Sequence, residues 1–224
     1  MTTENYVAEE IALMRAINRL PRELFTAHRR VWNDTIGLAL LDAVYSLQVT
    51  YRANHPEHGI ESRIIRFVEE HPSAKNDLNA LAEVPQARVR DLMGFGKTGV
   101  TLKSEAVMDV ARRLPSLERP IVRAGDVTAD RLSDVQRVYT SVAGLGKAAF
   151  RYFTLSLAVP AATAGPLLTR FVAREAYGDE ALSPNSAEVL ALVDRAYQQD
   201  SRGAETLSQF QHALWLAERN GPAP

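Results

Sequence analysis

The stretch VAGLGKAAFRYFTLSLAVPAATAGPLLTR, Val142–Arg170, decides how the chain is read. A Gly-x-Gly turn opens an apolar helix, the helix stops at Val159-Pro160, and a small-residue loop leads into a second helix carrying Arg170. Gly144 and Gly146 lack Cβ, so the turn can take positive φ and bring its backbone close to a ligand. A helix that starts after Gly146 directs uncapped N–H groups and the positive end of its dipole outward. Successive N–H groups in such a turn form an anion-sized nest, and a nucleic-acid phosphate fits it. A plain helix–helix corner has the same local sequence, so the hairpin alone leaves both readings open.

Working outward, residues 34–52 predict a broadly apolar, central helix through Ile36, Leu38, Leu40, Leu41, Val44 and Leu47, capped by Asn33 or Asp34. Asp42 sits on it and must find partners, by a salt bridge or at a polar edge. Residues 4–18 form an amphipathic helix with Val7, Ile11, Met14 and Ile17 inward. A helix over 61–71 presents Ile64, Ile65, Phe67 and Val68 to the core. Gly94-Phe95-Gly96 is a second glycine turn, leading into a helix through Val100, Leu102, Ala106, Val107, Val110 and Leu114. Its Gly-Lys-Thr is similar to a P-loop. The spacing fails, because position 91 is Asp, and no strand precedes it.

The segment 115–129 holds Pro115, Pro120 and Gly125 and reads as a crossing between lobes. Helices follow over 130–141, 166–177, 184–197 and 205–219, the last with Trp215 packed on the core. No segment alternates as a strand would. The expected fold is all-α, about ten helices in one domain over 1–224, with two lobes.

Composition narrows the chemistry. The absence of cysteine excludes disulfides, thiol catalysis and cysteine-held metal centres. His55-x-x-His58 has a metal-compatible spacing but no convergent third ligand, so no metal and no cofactor is expected. The polar start MTTENYVAEE and the lack of a long apolar run suggest a cytoplasmic monomer, nucleoid-associated when on DNA. The formal net charge of −1 is low for a dedicated nucleic-acid binder, so DNA binding would rest on a local basic face. Arg88, Arg90, Lys97, Lys103, Lys147 and Arg151 cluster in sequence around the two turns.

The wider pattern resembles the helix-hairpin-helix/Gly-Pro-Asp superfamily of DNA base-excision glycosylases, the endonuclease III-like enzymes. The matching pieces are Ala143-Gly144-Leu145-Gly146, the break at Val159-Pro160, and Arg170-Phe171; the resemblance runs from about Trp32 to Trp215. It implies that Gly94, Gly96, Lys97, Lys103, Gly144, Leu145, Gly146, Lys147 and Arg170 bind double-stranded DNA. It also implies that Gln48, in LLDAVYSLQVTYRA, fills the hole left by a flipped base. Two departures matter. The family's catalytic Asp aligns near Gly165, and no carboxylate lies between Gly144 and Arg174. The Lys of the bifunctional members is replaced by Ala148, with Lys147 one residue early.

Three functions follow. The first, narrowly preferred, is a base-flipping glycosylase that excises a modified or damaged base by an atypical site with Asp42 as the acid. The second is a catalytically inactive reader of such DNA. The third is an interaction protein without DNA.

Overall fold

The structure, a computed structural model, describes residues 3–26, 32, 34–47, 59–161 and 164–220. Among them the chain forms α1 (Thr3–Arg19), α2 (Glu23–Thr26), α3 (Ile36–Tyr45), α4 (Ile60–Glu70), α5 (Leu78–Glu83) and α6 (Gln86–Met93). A two-strand hairpin, β1 (Lys97–Thr98) and β2 (Thr101–Leu102), precedes α7 (Lys103–Arg113). Then come α8 (Leu132–Thr140), α9 (Lys147–Ser156), α10 (Pro166–Tyr177), α11 (Ser186–Gln199) and α12 (Leu207–Asn220). The protein is all-α apart from that hairpin, which the sequence had placed inside a helix.

The chain divides into two compact units, one made of residues 1–30 and 160–224, the other of residues 31–159. The division does not fall at 115–129, where a crossing was expected. That segment belongs to the second unit because its apolar side chains and backbone are used there. Ile121 and Val127 are buried. Leu78 N–H donates to the Val122 carbonyl at 3.0 Å, and Ala124 N–H donates to Asn76 Oδ1 at 3.0 Å.

In the second unit α3 buries all ten of its residues. Its start is not capped by Asp34, and Asn33 lies outside the described residues. The Ile36 N–H instead donates to Asn76 Oδ1, 40 residues away, at 3.2 Å. One amide oxygen thus serves the orphan donors of two segments at once. α5 has a local cap, Asp77, whose Oδ1 accepts from the N–H groups of Asn79 and Ala80. Of the expected core of α4, Ile64 and Phe67 are buried, whereas Ile65 is exposed; the helix turns that position outward. Tyr139 of α8 stacks on Phe153 of α9, ring centroids 5.3 Å apart.

In the first unit, Leu13, Ile17, Phe25, Phe171, Val172, Leu192, Phe210 and Leu214 form the core. The buried face of α1 runs through Leu13, Ala16 and Ile17, and Val7 and Ile11 are exposed. α10 begins at Pro166, which suits a first helical position. It ends at Gly178, whose left-handed φ of 70° lets Gly178 and Asp179 donate back to the carbonyls of Arg174 and Ala173. Trp215 is only half-buried: it stacks on His212 at 5.4 Å, with the Arg219 guanidinium over its ring at 5.2 Å. The core position expected for Trp215 is filled by Phe210 and Leu214.

Candidate nucleic-acid interface

α8, the turn Ser141–Gly146 and α9 form a helix–turn–helix unit. Leu145 is buried and pins the turn to the core, so it serves as an anchor and not as the contact expected of it. Gly144 takes a φ of 85°, in the region that favours glycine. Gly146 is extended and precedes the first helical residue, Lys147. No side chain caps this helix start. The first bond of the turn is Phe150 N–H to the Gly146 carbonyl at 3.1 Å, so the N–H groups of Lys147, Ala148 and Ala149 have no partner within the helix. A Cβ at Gly146 would meet nothing within 4 Å, and Gly144, Gly146, Lys147 and Ala148 are exposed.

Strand β1, which follows the second glycine turn, lies against the first. Thr98 is buried, and its Oγ1 donates to the Gly144 carbonyl at 2.5 Å. A Cβ at Gly144 would sit closer than 3.0 Å to the Thr98 carbonyl oxygen, Cγ2 and Oγ1. The glycine is therefore needed twice, for its φ and for the approach of β1. Gly144→Ala is expected to lower stability by about 2 kcal/mol, from positive-φ strain and a backbone clash together. Thermal unfolding of the variant measures this, and an unchanged midpoint would refute the contact.

The glycines of the 94–96 turn serve packing. Gly94 has a φ of 107°, and a Cβ there would strike Arg63 Nη1. That guanidinium donates to the Met93 carbonyl at 2.8 Å and holds the end of α6. A Cβ at Gly96 would lie 3.2 Å from Lys103 Cδ. Lys103 is 5% exposed, and its Nζ donates to the carbonyls of Tyr45 at 3.0 Å and Leu47 at 2.6 Å. It closes the C-terminal end of α3, where a cation meets the negative end of the helix dipole. Burial pushes its pKa down. The expectation that Lys103 faces nucleic acid is thus corrected: its ammonium is used inside the fold. Lys97 and Lys147, by contrast, are exposed and form no ion pair among the described residues. Arg90 lies over the exposed Phe95 ring at 5.1 Å. Arg88 is paired with Glu70.

Arg170 belongs to the other unit, where it pairs with Glu218 and approaches Glu180 at 3.8 Å. Arg174 Nη1 lies 2.7 Å from the same buried Glu218. Arg170, half-exposed, is thus engaged by two carboxylates of its own unit. Gln48, His55 and His58 lie outside the described residues. Among the described residues no group of His, Asp and Glu is arranged to hold a metal ion.

Asp42 is fully buried. Its Oδ2 accepts from Trp32 Nε1 at 2.9 Å, its Oδ1 from the Ser46 hydroxyl at 2.7 Å, and the Tyr152 hydroxyl lies 3.5 Å from Oδ2. Neutral donors on three sides satisfy it, in place of the salt bridge or polar edge expected. Gly165, near which the resemblance would set a catalytic acid, is the extended residue before α10.

Sequence reasoning passed over Thr98, Arg63, Asn76 and the Asp42 shell. The hairpin had a readable signal: Thr98-Gly99-Val100-Thr101 places Gly at the first central position of a two-residue turn between β-branched residues. Arg63, Asn76 and the Tyr152 side of the Asp42 shell act across long sequence separations and had none, whereas Ser46, one helical turn from Asp42, was within local reach.

The fold and this surface define a mostly helical protein in which a short β-hairpin packs on the glycine turn before an uncapped helix start. The chain belongs to the family described as a domain of unknown function, DUF8548, whose model matches residues 11–219. Comparison with curated proteins and with solved structures gives no match. Among the described residues no helix is long and apolar enough to cross a membrane.

Proposed function

We propose that the protein binds double-stranded DNA as a two-lobed, helix-hairpin-helix relative of the base-excision glycosylases, and that it reads a modified or damaged base without excising it. The observation that carries this reading is the Thr98–Gly144 contact. It sets β1 against the turn that precedes α9, with Lys97 one residue before Thr98 and Lys147 three residues after Gly144. N–H groups and ammonium groups together suit a phosphate better than either alone. The reader is preferred to the enzyme because Asp42 is enclosed by its own donors and 0% exposed. An acid acting on a sugar carbon has to reach the substrate.

Two measurements test this. Duplex affinity should fall linearly in log–log form with salt, as phosphate contacts release counterions. Lys147→Ala should weaken binding by about 1–3 kcal/mol, the range of a charge-assisted hydrogen bond, and should reduce the salt slope by about one. Salt-insensitive or absent binding would refute the DNA reading. Incubation with deaminated, alkylated and hypermodified DNA, followed by mass spectrometry of free bases, should show no release. A released base would establish excision and reopen the search for the acid.

A further inference from the structure

We draw no further inference here: the strongest candidate, the surface patch at the Gly94–Gly96 turn, where the Arg90 guanidinium lies over the exposed Phe95 ring and Arg63 holds the Met93 carbonyl, carries nothing because nothing in the structure shows what covers it.

Discussion

Gly37→Ala is expected to destabilise the protein by about 3 kcal/mol, although it adds one methyl group and improves helix propensity. Alanine in a helix interior is worth about 1 kcal/mol over glycine, and less at Gly37, the second residue of α3. Here that gain is outweighed. A Cβ at Gly37 would sit closer than 3.0 Å to the Ala74 carbonyl oxygen, and within 3.3 Å of Lys75 O and Ala74 C. These are backbone atoms of the 3₁₀ turn Pro72–Lys75, held by the Ala74 N–H bond to the His71 carbonyl, so no side chain can swing aside. Relief requires moving that turn off α3, and the next residue after it, Asn76, supplies the oxygen that caps the α3 start. The clash and the lost cap add to each other, and overpacking of a closed core accounts for most of the loss. For a chain of this length the midpoint should fall by about 10 °C. Gly125→Ala is the control, because a Cβ there meets nothing within 4 Å; its midpoint should change little. Equal midpoints for the two variants would refute the packing of α3 on the turn.

The same glycine shows where reading from sequence stops. The helix expected over 34–52 was legible over 36–45, because its apolar positions are too many for a surface helix, although it ends at Tyr45; the all-α class followed from the same periodicity elsewhere. Gly37 gave no sign that a backbone from 37 residues further on would lie against it. Nor did Asn76 reveal that it caps two distant segments. Periodicity reports one element's inward face; it does not report which element will press on it. The candidate site divides in the same way. Gly144 and the start of α9 were legible because turn and helix are local. Lys103 was misassigned because a lysine near a glycine turn looks the same in sequence whether it meets a phosphate or a helix C-terminus; the pairing of Arg170 with Glu218 and Glu180 gave no sign there either. The decision between those partners is made by packing. Val100 was misread for a related reason: valine, three residues before an apolar helix, fits the helical period, and only the Gly99 turn places it at a tip.

Asp42→Ala should also destabilise the protein by about 3 kcal/mol, and this separates a folding role for the residue from a catalytic one. Removing the carboxyl group takes the acceptor from Trp32 Nε1 and from the Ser46 hydroxyl, and opens a void in α3. Each donor stranded in a low-dielectric interior costs about 1–3 kcal/mol, reduced here because Trp32 and Ser46 are half-buried and turn partly to water. The void adds its own share. Asp42→Asn keeps the shape and one carbonyl acceptor but sets an NH₂ group against one of the donors, so a loss of about 1–2 kcal/mol is expected, with the protein still folded. Trp32 reports directly on the site. In a Trp215→Phe background its emission should shift to the red in Asp42→Ala, as the indole loses its acceptor and gains water, and shift less in Asp42→Asn. The DNA comparison is then decisive. If Asp42 only organises α3 with Trp32, Ser46 and Tyr152, Asp42→Asn binds duplex with the wild-type salt slope, and wild type releases no base. If wild type releases a base and the folded Asp42→Asn variant does not, Asp42 is a catalytic acid. Its neutral donors would then have to open for the substrate, and the reader gives way to the glycosylase.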